Sequence, residues 1–464
     1  MTFLLMQVLR VGRFSTTQEP PKFKYPLVSE RICWFMPSSR LLLGCIADDF
    51  TGATDLANNL VRSGMRVAQL NGQPTDEFTS SVDAVVIALK TRTLPVQSAI
   101  EHSLAALEWL QSQGATQIYF KYCSTFDSTA HGNIGPVIEA LMQALKTDFT
   151  IATPAFPDNA RTVFKGHLFV GDVLLQESSM RNHPLTPMTD ANLVRVLQTQ
   201  CTGHVGLIDY RTIMQGSDAI TEKIRQLREN GIRIAIVDAI SNEDLMQLAP
   251  ALRDMPLITA GSGVAIGLAA NHGITPSSRA SALPKATGLK AVVSGSCSLA
   301  TQRQVQHFLS AGLPGFPIDA MRLAQGSDLV CDALHWAEQQ SKASPVLIYS
   351  TASAETISQV QANLGVHDAG NMVEQALARI TQGLLGQGVR QLIVAGGETA
   401  GACVQALAVQ QMQIGPQIDP GVPWCHAYSS FATDGGLHLT LKSGNFGSDD
   451  FFSKAFKLLT TSVG

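Results

Sequence analysis

The stretch Gly44-Cys45-Ile46-Ala47-Asp48-Asp49-Phe50-Thr51-Gly52-Ala53-Thr54-Asp55 carries the change from a predicted strand to a predicted helix. Residues 41–43 begin an apolar run that is typical of a buried parallel strand. Beyond the stretch, apolar residues recur at helical spacing and end at Ser63-Gly64. Its two adjacent carboxylates, Asp48 and Asp49, therefore lie where a strand ends and a helix starts. In open α/β sheets, ligands bind at that edge.

Two interpretations of this turn stay open from its residues. The start of the helix offers free backbone N–H groups to an anion, while Asp48 and Asp49 are able to orient hydroxyl groups or hold a metal ion. Alternatively, Asp49 or Thr51 only caps the helix. The polar turns in the rest of the chain favour a binding role.

Length and composition restrict the class of protein. With 464 residues the chain exceeds one ordinary hydrophobic core, so two domains are expected. The 33 basic and 37 acidic residues give a formal net charge of −4, and the lack of a long basic run argues against a nucleic-acid partner. No apolar run approaches about 18 residues, so no membrane partner is expected. The eight cysteines include no CxxC pair, which indicates reduced thiols and favours a cytoplasmic location.

The order of the predicted elements indicates the fold class. Strand and helix patterns alternate between residues 40 and 270, as in a doubly wound parallel sheet. Residues 271–288 carry Gly, Pro, Ser and Lys without periodicity, which is typical of a linker. We predict an α/β fold of two domains, each with a mainly parallel sheet flanked by helices. The predicted parts are 1–38, an appended N-terminal segment of uncertain role; 39–270, the first domain; 271–288, the linker; and 289–464, the second domain.

A long segment, residues 161–188, interrupts the alternation in the first domain. It contains a Lys165-Gly166 turn followed by irregular sequence. Insertions of this kind are commonly lids or binding loops. We also expect the two domains to close across the linker and so to bring two half-sites together.

Charged and polar residues follow several strands of the first domain. Because the carboxyl ends of parallel strands meet at one edge of a sheet, we expect these residues to share a crevice with Asp48 and Asp49. They are Arg92 after the strand at 84–89, Lys121, Ser124 and Asp127 around the end of the strand at 118–122, and Arg161 after the strand at 150–153. A small polar acid suits such a crevice, with cations for its carboxylate and aspartates for its hydroxyl groups. The alternative for Lys121 or Arg161 is a surface ion pair. No HxH or HExxH spacing indicates a histidine metal site.

The second domain contains three turns rich in Gly, Ser and Thr, at 294–298, 396–401 and 443–447. Glycine allows the backbone to approach a ligand, and successive N–H groups form a concavity that binds anions. The hydroxyl groups of Ser296, Ser298 and Thr399 add contacts for phosphate oxygens, and Lys442 adds charge. None of the turns matches the GxxxxGK[ST] or GxGxxG pattern. Together they favour a nucleotide or another phosphorylated ligand without establishing it.

Several motifs resemble those of the four-carbon acid sugar kinase family. They are Ala47-Asp48-Asp49-Phe50-Thr51-Gly52-Ala53-Thr54-Asp55, Ser124-Thr125-Phe126-Asp127-Ser128-Thr129 with Gly132-Asn133-Ile134-Gly135, Gly396-Gly397-Glu398-Thr399, and Lys442-Ser443-Gly444-Asn445-Phe446-Gly447. The resemblance runs from about residue 41 to the C-terminus and covers both domains. Within the family, residues 169–188 are most similar to members that act on 3-oxo-tetronate. Residues 1–38 have no counterpart in this pattern.

The resemblance implies an ATP-dependent kinase that phosphorylates the C4 hydroxyl group of 3-oxo-tetronate. The first domain would hold the sugar acid and the second would bind ATP, with Mg²⁺ bridging phosphate oxygens rather than bound by a dedicated protein ligand set. The implied ATP contacts are Ser296, Ser298, Gly396, Gly397, Glu398, Thr399 and Gly444. The implied sugar-acid contacts are the loop from Asp48 to Gly52, which includes Thr51, and the loop from Lys121 to Asp127. Asp49 is our first choice for the proton acceptor, with Asp48 and Asp127 as rivals.

Alternatives to this function stay open. A threonate or erythronate kinase of the same family differs only in pocket detail. A non-catalytic sugar-acid sensor, or a lyase or synthase that uses no nucleotide, leaves the Gly/Ser turns of the second domain unexplained. The expected partners are a small sugar acid and ATP. The sequence leaves the oligomeric state open, and a homo-oligomer is compatible with it.

Overall fold

The structure is a computed structural model that describes residues 41–74, 82–183, 185–340, 342–351 and 366–461. The predicted appended segment, 1–38, lies outside these ranges. The described residues belong to one compact unit, Ser38–Gly464. Within them, no helix is both long enough and apolar enough to cross a membrane.

Strands supply the frame of the described chain. They are β1 Leu43–Ala47, β2 Val67–Asn71, β3 Ala84–Ala88, β4 Gln117–Lys121, β5 Thr150–Thr153, β6 Arg161–Phe164, β7 His167–Val170, β8 Val173–Leu174, β9 His204–Ile208, β10 Ile232–Val237, β11 Leu257–Ala260, β12 Leu289–Ser294, β13 Gly315–Pro317, β14 Val346–Tyr349, β15 Val389–Ala395, β16 Gln411–Asp419, β17 Val422–Ser429 and β18 Ala432–Lys442.

Helices cover the faces of this frame. They are α1 Phe50–Arg62, α2 Val96–Ser112, α3 Ile134–Ala144, α4 Leu193–Gln198, α5 Tyr210–Ile213, α6 Ser217–Glu229, α7 Asn242–Leu248, α8 Ala265–Leu268, α9 Leu299–Ser310, α10 Ala320–Ala324, α11 Leu329–Glu338, α12 Val366–Gly386, α13 Gly397–Ala406 and α14 Phe451–Thr461. Short 3-10 helices occur at Pro157–Asn159, Leu175–Glu177, Ser179–Asn182, Ala249–Leu252, Ala269–His272 and Ser278–Ser281.

Fifteen of the strands form one sheet that runs through both halves of the chain. The first half is the predicted first domain, 39–270, and the second half is the predicted second domain, 289–464. Its order is β13-β14-β12-β15-β18-β17-β16-β2-β3-β1-β4-β11-β5-β10-β9. The eight strands from β2 to β9 are parallel to one another, as are the five from β13 to β18. The predicted parallel α/β architecture is confirmed. The sequence patterns did not predict the antiparallel strands β16 and β17, which join the two parallel sets through pairing of β16 with β2.

Helix α1, which follows the opening stretch, is the element held by both halves. Every residue from Phe50 to Val61 is buried, because α1 packs against β2 and β3 of the first half and against β16, β17 and α13 of the second. Two of its polar residues bind other segments. Asn58 Nδ2 donates to Gln417 Oε1 at 2.6 Å, and Asn59 Nδ2 donates to the Ser262 carbonyl at 3.0 Å. The fold therefore fixes the start of α1 relative to both halves.

Residues 161–183 fold as a separate small layer. Strands β6, β7 and β8 form an antiparallel sheet, followed by two 3-10 turns. The Asp238 carboxylate anchors its first turn by accepting from the backbone N–H groups of Lys165 and Gly166 at 2.7 and 2.8 Å. This attachment leaves the 3-10 turn Ser179–Asn182 beside the carboxyl edge of the main sheet, where it lines the cavity described below.

The predicted linker, 271–288, lies on the surface and is attached to the second half. It contains the 3-10 helix Ser278–Ser281, and the Ala282 carbonyl accepts from Gln413 Nε2 of β16 at 2.8 Å. Leu283 packs against the second hydrophobic cluster. Both halves already line one cavity in this arrangement, without a closing movement.

Candidate active site

A cavity of about 620 Å³ opens at the carboxyl edge of the sheet, where the two halves meet. Most of the residues proposed from the sequence line it. They are Asp48, Asp49, Thr51, Gly52, Arg92, Lys121, Ser124, Asp127 and Arg161 from the first half, and Ser296, Ser298, Gly397, Glu398 and Gly444 from the second. Gly396 and Thr399 do not line it; they lie behind the turn that does.

Arg92 organises the acidic side of the cavity. Its Nε and Nη2 donate to the two oxygens of Asp48 at 2.9 and 2.8 Å, and Nη2 also lies 2.8 Å from Asp49 Oδ1. Nη1 is 3.7 Å from Asp127 Oδ2. One guanidinium therefore holds the carboxylates from two strand ends. A planar fork of this kind suits paired carboxylates better than an ammonium group does.

The loop that carries Arg92 is itself tied down by Asn133. The Asn133 side chain donates to the carbonyls of Thr91 and Arg92 at 2.9 and 3.1 Å. The backbone N–H of Thr91 donates to the Asp48 carbonyl at 3.0 Å. Asn133 belongs to the Gly-Asn-Ile-Gly motif quoted above, so that motif positions Arg92.

The two adjacent aspartates differ in their proton affinity. Burial raises the pKa of Asp48 above its ordinary value, although Arg92 acts against this effect. Burial also acts on Asp49, but Arg92, Lys121 and the hydrogen bonds from Thr51 and Gly52 outweigh it and hold the pKa of Asp49 below its ordinary value. Asp49 is therefore ionised near neutral pH.

Asp49 also caps α1, so the capping interpretation and the site interpretation hold together. Its Oδ1 accepts from the Gly52 N–H at 2.9 Å and its Oδ2 accepts from Thr51 Oγ1 at 2.8 Å. A Cβ atom on Gly52 would overlap Asp49 Oδ1 and would lie 2.9 Å from Lys121 Nζ. Glycine at this position lets the carboxylate and the lysine approach each other.

The loop after β4 is strained at the site. Phe126 and Asp127 adopt φ values of 65° and 44°, a region that non-glycine residues rarely occupy. The Asp127 carboxylate is oriented by Thr125 Oγ1, which donates to its Oδ1 at 2.7 Å. Lys121 at the end of β4 is buried, and its Nζ donates to the Tyr122 carbonyl at 2.8 Å.

The three glycine-rich turns of the second half pack directly on one another. Ser298 caps α9 by accepting from the Thr301 N–H at 3.2 Å, and its Oγ donates to the Gly444 carbonyl. A Cβ atom on Gly444 would lie 2.5 Å from Ser296 Oγ. A Cβ atom on Gly295 would overlap Thr399 Oγ1. The residues that approach the cavity from these turns are small because the turns have no room for larger ones.

Lys442 does not lie in the cavity, in contrast to the expectation that it adds charge for a phosphate. It is fully buried, and its Nζ donates to Thr301 Oγ1 and to the carbonyls of Ser443, Gly444 and Phe446. Burial lowers the pKa of this amine to about 7. In this structure Lys442 braces the turn that contains Gly444.

The structure adds residues that the sequence analysis missed. They are Asp55, Lys90 and Thr93 from the first half, Ser179, Met180, Asn182, His183, Leu185 and Thr186 from the insertion, and Cys297, Leu299, Gln302, Gly401, Ser443, Asn445 and Phe446 from the second half. Lys90 Nζ lies 3.0 Å from Glu398 Oε2 and 3.9 Å from Glu374 Oε2, so it links the halves at the cavity rim. Lys90 follows β3 by two residues, and the rule that led to Arg92 would have found it.

The fold and this site define a class of protein. One half of this α/β molecule supplies cations and the carboxylates that Arg92 binds, and the other half supplies glycine- and serine-rich turns. Both sets of residues line one cavity. This arrangement suits a protein that brings a small polar acid to a phosphorylated ligand.

Comparison with known proteins identifies the family. Residues 43–268 match the model of a sugar-binding N-terminal domain, and residues 291–452 match that of a nucleotide-binding C-terminal domain. The chain is 54% identical over 426 residues to a 3-oxo-tetronate kinase of Burkholderia multivorans, covering 91% of this chain and 98% of that one. It is 55% identical over 423 residues to a 3-oxo-tetronate kinase of Pseudomonas fluorescens, covering 90% and 96%. The chain belongs to the four-carbon acid sugar kinase family, as the motifs predicted.

Solved structures have the same fold. A crystal structure from Salmonella typhimurium LT2 matches with a TM-score of 0.77 at 43% identity, covering 89% of this chain and 98% of that one. The crystal structure of Haemophilus influenzae protein HI1011 matches with a TM-score of 0.70 at 43% identity, covering 90% and 100%.

Proposed function

We propose that this protein transfers the γ-phosphoryl group of ATP to the C4 hydroxyl group of 3-oxo-tetronate, giving 3-oxo-tetronate 4-phosphate and ADP. The observation that carries the proposal is the single cavity in which the Arg92-clamped aspartates face the Gly397 and Gly444 turns. The names of the 3-oxo-tetronate kinases that share about half of its residues support the choice of acid.

The chemical step needs alignment and charge neutralisation more than covalent catalysis. The C4 oxygen forms a bond to the γ-phosphorus while the bond from that phosphorus to the β,γ-bridging oxygen breaks, and the C4 proton passes to a carboxylate. Asp49 is our candidate for this acceptor. Its Oδ2 lies 3.9 Å from the position that a Cβ atom would take on Gly397, so it is close to the nucleotide turn. Both oxygens of its rival Asp48 are engaged by the Arg92 guanidinium, whereas Asp49 Oδ2 accepts from the Thr51 hydroxyl group.

The nucleotide half supplies small residues rather than a lysine-bearing loop. Gly397 begins α13, and the backbone N–H groups at a helix start favour phosphate oxygens. We place the triphosphate against the Ser296, Gly397 and Gly444 turns, with Lys90 at the rim contributing positive charge from the sugar half. Glu398, its present partner, would lie beside the phosphates.

Mg²⁺ is part of the proposal. Among the described residues, no group of three or more His, Cys, Asp or Glu side chains is arranged to hold a metal ion. Mg²⁺ commonly keeps several waters and binds through substrate phosphates with one or two carboxylates. The cavity fits that mode, with Glu398 as the carboxylate on the nucleotide turn. Bound there, the ion would neutralise phosphate charge.

We also infer the domain roles and the surroundings of the enzyme. Residues 39–270 would hold the sugar acid and 289–464 the nucleotide. Among the described residues, the thiols of Cys45, Cys123, Cys201, Cys331, Cys403 and Cys425 are free, which suits a reducing cytoplasm. The proposed partners are the sugar acid and ATP. Assembly with further copies is a separate question that sedimentation would answer.

A coupled assay of ADP release across 3-oxo-tetronate, threonate and erythronate tests the function. We expect 3-oxo-tetronate to give the highest kcat/KM and a product phosphorylated at C4 by ³¹P NMR. A preference for threonate or erythronate would change the proposed substrate but leave the proposed kinase activity in place. No ADP release with any of these acids, despite binding, would favour a non-catalytic sensor.

The Asp49→Asn variant tests the proton acceptor. We expect kcat to fall by about 10²–10⁴-fold, the usual contribution of a general base, while ADP affinity stays within about twofold. Asp218→Asn, an exposed aspartate on α6, is the matched control and should leave kcat unchanged. Turnover close to that of the wild type in Asp49→Asn would transfer the role to Asp48 or Asp127.

A further inference from the structure

Asp55 lies in the same cavity as the clamped aspartates, but the proposed chemistry does not use it. It is 3% exposed. Its Oδ2 accepts from Ser262 Oγ at 2.6 Å, while its Oδ1 has no hydrogen-bond partner within the described chain. A buried carboxylate oxygen without a donor is costly, and native structures rarely contain one without a reason.

Arg161 has the complementary property. It is 8% exposed, its guanidinium lies 5.5 Å from the centre of the Phe446 ring, and one of its terminal nitrogens donates to the Asn159 carbonyl. Its Nε has no acceptor in the residues that the structure describes. Arg161 lines the same cavity as Asp55. An unmatched acceptor and an unmatched cationic donor therefore share one pocket.

The second half contributes two residues next to the free oxygen. Gly421 adopts a φ of 76°, and a Cβ atom there would lie 2.5 Å from Asp55 Oδ1 and 2.9 Å from the Phe446 ring. Gly421 therefore lies close to this carboxylate, and a larger residue there would displace it. Phe446, which lines the cavity, also comes from the nucleotide half, so both halves contribute to the surroundings of Asp55.

We propose that Asp55 and Arg161 form a subsite for the 2-hydroxy-carboxylate end of the sugar acid. Both unmatched atoms are closed to solvent in this structure, so binding requires the two side chains to turn toward the cavity that they line. Asp55 Oδ1 then accepts a hydrogen bond from the C2 hydroxyl group, and Arg161 Nε donates to the carboxylate. The proposal deepens the proposed function, on which its substrate class rests. Each unmatched atom gains the partner that it lacks, which a simple anion or a simple alcohol would not provide.

The position of Asp55 on α1 gives the acid an orientation. Asp49 lies beside Gly397 at the start of the helix. Asp55 is six residues further along, which is about 9 Å of helix rise. The subsite thus holds the carboxylate end of the acid while the C4 hydroxyl group extends toward Asp49 and the phosphates. Asp55 and Arg161 then select the acid, and Asp49 acts on its reacting hydroxyl group.

Binding to the full-length protein tests the subsite without turnover. Isothermal titration at pH 8, where Asp55 is mainly ionised, compares 2,4-dihydroxybutanoate with 4-hydroxybutanoate, which lacks the C2 hydroxyl group. We expect the wild type to bind the dihydroxy acid at least tenfold more tightly. In Asp55→Ala that ratio should fall below twofold, with the affinity for 4-hydroxybutanoate unchanged. Arg161→Met should weaken both acids at least thirtyfold and preserve their ratio.

Further variants and outcomes keep the test decisive. Asp55→Asn is nearly isosteric and serves if the alanine variant does not fold; because a neutral acceptor is weaker than a carboxylate, its ratio should fall at least threefold. Asp218→Ala is the control and should keep the wild-type ratio. The subsite is overturned if both Asp55 variants keep the wild-type ratio of the two affinities. It is also overturned if the wild type binds the two acids equally well. No binding of either acid overturns the subsite and the proposed substrate class together, whereas intact selectivity without ADP release from 3-oxo-tetronate overturns only the proposed function.

Discussion

Arg92 is the residue on which the geometry of the acidic side depends. Its guanidinium binds Asp48 through two nitrogens and also contacts Asp49 and Asp127, and the side chain is only 21% exposed. Removing one partner of a buried ion pair leaves the remaining charge uncompensated, which costs about 3–5 kcal/mol. A lysine would keep the positive charge but would lose the two parallel hydrogen bonds to one carboxylate.

We therefore expect Arg92→Lys to lower kcat/KM by about 10²-fold and to destabilise the protein by roughly 2 kcal/mol, less than full removal of the charge would. Steady-state kinetics and urea unfolding measure the two effects. Arg195→Lys is the matched control. On the protein surface, Arg195 binds Asp190 through the same two nitrogens, Nε and Nη2, at 2.9 and 2.7 Å. Exposed pairs contribute at most about 1 kcal/mol. Equal effects of the two substitutions would contradict a special role for Arg92.

Asp55 makes the stability of the protein depend on pH. Burial raises its pKa to about 7, outweighing the favourable charges of Lys121 and Arg161 and the Ser262 hydrogen bond, while Asp49 adds repulsion. Because the folded state holds this proton more tightly than the unfolded state, stability is greatest below the ordinary pKa of an aspartate and is lost as the pH rises toward 7.

Comparing wild type with Asp55→Asn isolates this effect. We expect the variant to gain about 3 kcal/mol relative to the wild type between pH 5 and pH 8, because two pKa units correspond to about 2.7 kcal/mol. Urea unfolding at the two pH values gives the difference. A free-energy difference between the two proteins that does not change with pH would show that Asp55 titrates normally.

At the scale of single elements, the buried parallel strands were predictable and the joining strands were not. The strand Thr150–Thr153 occurs at the predicted bounds and the strand Ala84–Ala88 within one residue of them, because each is a short apolar run. In β16, Gln411 and Gln413 alternate with Met412 and Ile414, and Pro416 interrupts the run. The alternation covers only four residues before Gly415 and Pro416, and proline argues against a strand interior, so this antiparallel strand gave no clear signal.

The candidate site was predictable where a side chain directly follows a strand. Asp48 and Arg92 were found in that way. Asp55 was missed because it lies within a helix pattern, where an acidic residue ordinarily faces solvent; only the packing of α1 between the two halves buries it. Thr399 was proposed from its hydroxyl group, but its oxygen packs against Gly295 instead of facing the cavity.

The glycine-rich turns give a prediction at the element scale. An alanine at 444 would place its Cβ atom 2.5 Å from Ser296 Oγ and 3.3 Å from Ser298 Oγ, so the Ser296 hydroxyl group must rotate away or the two turns must separate. We expect Gly444→Ala to weaken ADP binding about tenfold while 2,4-dihydroxybutanoate binds as in the wild type. Gly386→Ala, at the end of α12 with no atom within 4 Å of its Cβ position, is the control. Unchanged ADP affinity in Gly444→Ala would remove this turn from the nucleotide site.

At the scale of the whole molecule, the division into two parts could be predicted, but their union could not. The motifs indicate two α/β halves because each half repeats the strand–helix pattern. The halves meet through residues that are about 340 positions apart, as in the pairing of Met412 with Gln69. No local periodicity records a contact of that separation. The shared sheet follows from this long-range pairing.

This union predicts that the two halves unfold together. Helix α1 is buried against strands of both halves, so neither half keeps its core when the other is lost. Differential scanning calorimetry of the full chain should show one main transition whose calorimetric and van't Hoff enthalpies agree.

Ligands then decide between one cooperative unit and two. ADP or 2,4-dihydroxybutanoate, each at about 100 times its dissociation constant, should stabilise that same transition by about 2.7 kcal/mol, because binding to either half stabilises the native state as a whole. Two resolved transitions, one shifted only by ADP and the other only by the acid, would show that the halves fold independently. The sheet through β2 and β16 would then be a contact between two stable domains, and the site between them would depend on how those domains dock.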